Sequence, residues 1–172
     1  LLVTGRVRSG DGADGLAGAA ATVTAAIDTA YVEHAPIEPE AGCAWMDGDV
    51  LVVSACTQAP VMDQEDTAKI LGLPLDRVRI IPATAGGGFG TKLDVSLQPL
   101  LGLAVLKTGK PCRMVYTRHE SMIATTKRHP AAMRGRLAAD PDGRLVGMTF
   151  EGAFNTGAYA SWGPTVATRV PI

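Results

Sequence analysis

Between the β-branched run Val78 to Ile81 and a helical stretch beginning near Leu93 lies Ala85-Gly86-Gly87-Gly88-Phe89-Gly90-Thr91-Lys92. No other segment limits the fold as strongly. Glycine has no Cβ, so such a loop reaches positive φ values and can bring backbone N–H groups against a ligand. Set between a strand and a helix, it aims those amides at an anion, helped by the helix N-terminus. Phe89 then forms one fixed wall. The competing reading is a glycine-rich turn that only lets two elements pack closely.

Two familiar phosphate-binding patterns are not met. A P-loop needs Gly-Lys-Ser/Thr after four spacer residues, whereas Lys92 here follows Thr91 and precedes Leu93. The dinucleotide fingerprint puts a third glycine where this chain has Thr91, counting from Gly86, or Leu93, counting from Gly88.

The 172 residues carry a net charge of −1, with 47% hydrophobic and only 5% aromatic side chains. That length fits one domain or one piece of a larger one, and the abundant Ala and Gly suit tightly packed layers. A balance so near neutrality argues against nucleic-acid and anionic-membrane partners, which demand clustered Lys and Arg. No signal peptide and no apolar run near the ~20 residues of a membrane span is visible, so the expected setting is soluble and cytoplasmic. Cys43, Cys56 and Cys112 lack a C-x-x-C pair and read as small buried hydrophobes. His34, His119 and His129 have no ligand spacing either, so no metal held directly by the protein is expected. Leu1 is not a natural start and Arg169-Val170-Pro171-Ile172 breaks off in mid-pattern, so the chain reads as a piece of a longer protein.

The expected organisation is a connector over 1–18, then one partial domain over 19–172, truncated at both ends. Thr22 to His34 reads as extended. Cys43 to Met46 and Val50 to Ala55 flank Asp47-Gly48-Asp49, a type I′ hairpin signal. A helix through Val61, Glu65, Ala68, Ile70 and Leu71 ends at Gly72, and Arg77 to Pro82 returns as a strand. The next helix is placed over Leu93 to Lys107, with Pro99 either in its first turn after a start near Gln98 or kinking it. Cys112 to Tyr116 is a strand and Arg118 to Thr125 a short helix. Met133 to Ala139 and Leu145 to Phe150 form a hairpin around Pro141-Asp142-Gly143. This order predicts an α+β fold, a mixed sheet with helices.

Three further groups carry possible chemistry. Glu33-His34-Ala35-Pro36-Ile37-Glu38-Pro39-Glu40 gathers three carboxylates around stiff prolines; it is either an acid–base cluster, a solvated turn or an inter-subunit hydrogen-bonding site. Gln58, in Ser54-Ala55-Cys56-Thr57-Gln58, ends a strand with an amide suited to an oxo or hydroxo group, or else serves as a helix cap or makes a loop hydrogen bond. Lys127-Arg128-His129-Pro130 is a solvated bend or an anion contact.

In this order and company, the Glu33–Glu40, Ser54–Gln58, Gly86–Lys92 and Thr126–Pro130 stretches resemble the molybdenum-cofactor-binding region of the xanthine dehydrogenase and aldehyde oxidase family, the molybdenum hydroxylases. The resemblance runs from about Tyr31 to Tyr159 and implies a partial molybdopterin-binding domain of a large subunit. It implies that the Gln58 amide approaches an oxygen ligand of the metal, and that Phe89 and Gly90, with Gly87 and Gly88, border the metal and its dithiolene. The pterin's two sulfurs, not protein side chains, hold the molybdenum, as molybdopterin or its cytosine dinucleotide form. The implied reaction is hydroxylation of a heteroaromatic or aldehyde carbon with water as oxygen source. Electrons leave through [2Fe-2S] centres, usually to FAD, on other domains or subunits of an oligomer.

The family's general base, a glutamate, matches no position here, so no catalytic residue is expected within this chain and the chain alone should be inactive. Purine-hydroxylating members carry a substrate-binding glutamate where this chain has Leu93, followed by Asp94. Leu93 cannot supply those hydrogen bonds, so xanthine is not the expected substrate unless Asp94 turns in. Carbon monoxide is not expected, because that branch's cysteine loop is missing. The alternative is a non-catalytic assembly or scaffolding module that keeps the fold without the cofactor.

Overall fold

The structure, a computed structural model, describes residues 2–10 and 12–169. In chain order the elements are α1 (Gly12–Ala17), β1 (Ala21–Asp28), β2 (Ala41–Asp47), β3 (Val50–Cys56), α2 (Pro60–Leu71), β4 (Val78–Ala83), α3 (Gln98–Thr108), β5 (Cys112–Val115), α4 (Arg118–Ala124), β6 (Ala131–Ala139), β7 (Leu145–Phe154) and α5 (Gly163–Thr168). The mixed α+β class is as expected. No described helix is long and apolar enough to cross a membrane.

The chain forms two compact units, Glu33–Lys127 and the pair of outer stretches Leu1–Val32 and Arg128–Ile172. The span 19–172, read from sequence as one partial domain, thus contributes to both.

In the Glu33–Lys127 unit a four-stranded sheet has the order β4-β3-β2-β5. β2 and β3 pair antiparallel from Asp47↔Val50 to Gly42↔Ala55. Their loop is Gly48-Asp49, and only Gly48 has positive φ, at 61°. That is the φ pattern of a type II′ turn, not I′, because the glycine falls at the first central position. α2 carries the chain across to β4, which runs parallel to β3, with Ser54 opposite Ile81 and Cys56 opposite Ala83. This parallel pairing decides where the site lies: the C-terminal ends of β3 and β4 share one edge, and Gln58 and the glycine loop both leave from it.

α3 begins at Gln98 with Pro99 in its first turn, so the helix does not start near Leu93. Proline fits there because its missing N–H would have no intrahelical partner. The glycine loop therefore does not run straight into a helix N-terminus. Leu97, Leu101 and Val105 pack on Ala44, Leu51, Val53 and Ala55 as the core of the unit. The cysteines only partly meet expectation: Cys56 is buried, while Cys43 and Cys112 are half-buried. α4 is fixed by a capping box, Thr117 accepting from Glu120 N and Glu120 returning to Thr117 N.

The second unit is built on a three-stranded antiparallel sheet, β1-β6-β7. β7 runs to Phe154, four residues past the sequence-based end, because Ala131–Arg134 of β6 offer partners to Glu151–Phe154. Pairing of this kind outweighs the weak strand propensity of Glu, Gly and Ala. Within the stretch read as a connector, Gly12–Ala17 forms the short α1, which packs on β7.

Candidate functional site

The glycine loop is shaped by what lies under it. A Cβ on Gly88 would stand 2.3 Å from Gln58 Oε1, one on Gly86 2.6 Å from the Glu38 Cβ, and one on Gly87 3.2 Å from the Phe89 ring. Gly87 and Gly90 also hold φ at 104° and 99°, angles that L side chains rarely adopt. Phe89 itself sits at φ 54° with its side chain largely exposed. A non-glycine residue in that region stores strain that a site can use.

Gln58 is locked to this loop at three points. Its backbone N–H donates to Lys92 O (2.9 Å), and its Oε1 accepts from Gly90 N (3.0 Å) and Lys92 N (3.3 Å). Two amide donors face that end of the carboxamide, so the oxygen must occupy it. The Nε2 group, bonded to no other described residue, is left as the outward donor end. Inside the loop Thr91 N bonds Gly88 O at 2.9 Å, whereas the amides of Gly87, Gly88 and Phe89 bond no described residue. Consecutive unused amides with alternating backbone hand form the concavity that accepts anionic oxygen or sulfur.

The loop is tied down on both flanks. Glu38 N donates to Gly86 O (3.3 Å), and Glu38 Oε2 accepts from Gly86 N (2.9 Å) and from Lys92 Nζ (2.7 Å). Lys92 Nζ also reaches Glu38 O at 3.2 Å, and its side chain is 2% exposed. Thr91 and Thr126 exchange hydroxyl-to-carbonyl bonds at 3.3 Å each. Farther along, Lys127 Nζ pairs with Glu33 Oε2 at 2.7 Å.

The three carboxylates read as one cluster thus have different surroundings. Burial works to raise the Glu38 carboxyl, but the Lys92 and Gly86 bonds and the Lys92 charge outweigh it, and its pKa lies below the ordinary value. Glu33 is likewise held low by Lys127, Ala35 N and Thr125 against the opposing effect of burial. Glu40 is buried, its carbonyl accepting from Tyr116 N at 2.8 Å. Ionised partners make Glu33 and Glu38 structural anions rather than proton shuttles. Lys127, read as a bend or an anion contact, has its anion within the chain.

Leu93 follows the loop half-buried, its Cδ1 4.0 Å from where a Gly90 Cβ would lie. Asp94 is half-buried, and its charge helps to raise the Asp63 carboxyl, after burial and alongside Asp66. Asp63 and Gln98, both buried, join α2 to α3 through a 2.9 Å bond. Sequence reasoning missed this bond, the Glu38–Lys92 and Glu33–Lys127 pairs and the threonine exchange. Lys92, two residues after the last glycine of the loop, was the one visible hint, and its partner lies 54 residues away.

Residues 2–172 match the family described as "Molybdopterin cofactor-binding domain". The large molybdopterin subunit of nicotinate dehydrogenase from Eubacterium barkeri is 45% identical over 84% of this chain and 34% of its own length. A probable hypoxanthine oxidase of Escherichia coli strain K12 is 35% identical over 94% of this chain and 17% of its own length. The aldehyde oxidoreductase structure from Desulfovibrio gigas superposes with a TM-score of 0.85 and 27% identity, covering 93% of this chain and 18% of that one. The chain therefore spans at most 34% of the length of these relatives.

Proposed function

Because the chain belongs to the molybdopterin cofactor-binding domains of the molybdenum hydroxylase family, we propose that it forms the cofactor-facing part of a large subunit that hydroxylates a heteroaromatic or aldehyde carbon, with water as oxygen source. One observation carries this reading: Gln58 spends its oxygen on Gly90 and Lys92, turning a fixed NH2 donor out beside the unused amides of Gly87, Gly88 and Phe89. Such a donor set fits a bulky anionic metal–dithiolene group, and side chains at Gly86 or Gly88 would strike Glu38 or Gln58 and displace it.

When bound, molybdenum on molybdopterin, as such or in the cytosine dinucleotide form, supplies the oxidation of carbon, and the protein supplies position and field. Gln58 Nε2 would donate to the polar face of the metal centre. The three loop amides would face the anionic ligand, and the Phe89 ring would shield one side from water. Preorganised donors of this kind act strongly because they need no rearrangement during reaction.

Leu93 would line the substrate side with an apolar wall, with Asp94 next to it. The similar proteins named above are a nicotinate dehydrogenase, a probable hypoxanthine oxidase and an aldehyde oxidoreductase. Leu93 favours the substrates among these classes that need no hydrogen bond at that point, and disfavours purines. The general base belongs to another part of the large subunit, so this chain alone turns over no substrate. The [2Fe-2S] and FAD groups sit on partner domains or subunits of a cytoplasmic oligomer.

The test is elemental and kinetic analysis of the full large subunit purified with its iron–sulfur partner. Molybdenum should be present, and Gln58→Ala should lower turnover by about 10²–10³-fold, as loss of one preorganised donor does. Normal turnover in that variant would remove Gln58 from the active site. A folded subunit without molybdenum would favour the non-catalytic scaffold.

A further inference from the structure

We propose that Glu38 and Lys92 are positioning residues that hold the glycine loop, and through it Gln58, in the receptive shape before any cofactor arrives; the inference rests on the cofactor reading above. One carboxylate oxygen, Glu38 Oε2, takes both Gly86 N (2.9 Å) and Lys92 Nζ (2.7 Å). Gly86 is the first glycine of the loop and Lys92 its last residue, so a single atom closes the loop at both ends. The backbone joins in, with Glu38 N on Gly86 O and Lys92 Nζ on Glu38 O.

Lys92 is the hub. Its side chain is anchored on Glu38, while its backbone C=O and N–H both engage Gln58. Any shift of the Lys92 side chain is therefore passed to the carboxamide that faces the site. The ammonium is almost fully buried, and a buried ammonium keeps its place only while its counter-ion and hydrogen bonds stay in position. Proline on either side of Ile37-Glu38, at Pro36 and Pro39, limits the backbone freedom of the segment that presents the carboxylate. Arg118 fastens the same segment from below, its Nη2 donating to Pro36 O (2.6 Å) and Ile37 O (2.7 Å). The cradle is thus preformed by the chain's own polar groups. Preorganisation lowers the ordering cost of binding.

The experiment uses the full large subunit with its partners, prepared with and without cofactor, as wild type, Glu38→Ala and Glu38→Gln. Amide hydrogen exchange on the cofactor-free protein is read at Gly86, Gly90 and Lys92 and at the remote β2–β3 hairpin. In Glu38→Ala the loop amides should exchange about tenfold faster or more while the hairpin keeps its protection, a local opening rather than global loss. Glu38→Gln keeps an oxygen for Gly86 N but removes the counter-ion of the buried Lys92 ammonium, so its loop amides should exchange faster than wild type by about threefold or more, though less than in Glu38→Ala. Unchanged loop exchange in Glu38→Ala would overturn the proposal, as would equal loss in loop and hairpin. If Glu38→Ala does not fold, Glu38→Gln decides alone, and loop exchange unchanged from wild type would overturn the proposal. Molybdenum analysis of the wild type is a separate arm: its failure removes the cofactor reading, whereas the exchange data judge the latch.

Discussion

Phe89 occupies backbone space that glycine would hold without strain, with φ at 54° and a strain of order 1–3 kcal/mol. Its ring packs back toward Gly87. Phe89→Gly should therefore leave the melting temperature of the cofactor-free subunit unchanged or raised, while turnover falls. A drop in both would mean that the ring serves the core rather than the site. Gln58 allows a finer separation. In Gln58→Glu a carboxylate still accepts from Gly90 and Lys92 but has no N–H to donate. Loop protection by hydrogen exchange should survive that change while turnover is lost. If activity survives too, the outward donor has no role.

The two ion pairs give the site's supporting elements a defined acid response. Glu33 and Glu38 are both held below the ordinary glutamate value of 4.5 by their lysines and hydrogen bonds. A lowered folded-state pKa contributes stability that is present above the unfolded value and is lost as pH falls through the folded one. Thermal melts taken downward from pH 5 should lose stability less steeply in a Glu33→Gln/Glu38→Gln double variant than in wild type. Parallel curves would show that neither pair contributes. Asp63 has the opposite sign: burial raises its carboxyl, so its charged form costs stability at neutral pH, and Asp63→Asn should flatten the gain on acidification. How much of this was legible follows from range. The β2–β3 hairpin announced itself through Asp47-Gly48 and flanking apolar runs, and Gly72 marked the end of α2, because these signals act over a few residues. Gln58 stood out as a polar residue at the end of an apolar strand. The start of α3 is open in the sequence between Leu93 and Gln98, because Leu97 and Leu101 continue the apolar spacing, and the fit of Pro99 in a first turn decides for Gln98. The Glu38–Lys92 pair left no local trace beyond Lys92 itself; it exists because antiparallel β2–β3 and parallel β3–β4 pairing bring the segment before β2 and the loop after β4 to one edge.

At the scale of the whole chain, the β1-β6-β7 sheet turns an apolar face to solvent. Val23, Leu137 and Met148 are successive cross-strand partners on it, with Gly135 and Phe150 in the next row and Ile27 and Met133 in the one after. Val23, Ile27 and Met148 are 60%, 57% and 65% exposed. Continuous apolar patches on soluble chains are adhesive. The 172-residue polypeptide should bind a hydrophobic dye strongly, and Val23→Lys with Met148→Lys should reduce that binding and raise solubility. The face was hidden in the sequence because strand alternation tells which residues share a side, not whether that side is covered. The central claim concerns the other unit, where Gln58 and the glycine loop share the carboxyl edge of two parallel strands. Metal analysis of the full subunit and its partners tests it most directly, comparing wild type with Gly88→Val, whose side chain would enter the space of Gln58. Stoichiometric molybdenum in wild type and a large loss in the variant are the predicted result. Equal molybdenum in both, with the variant folded, would contradict it.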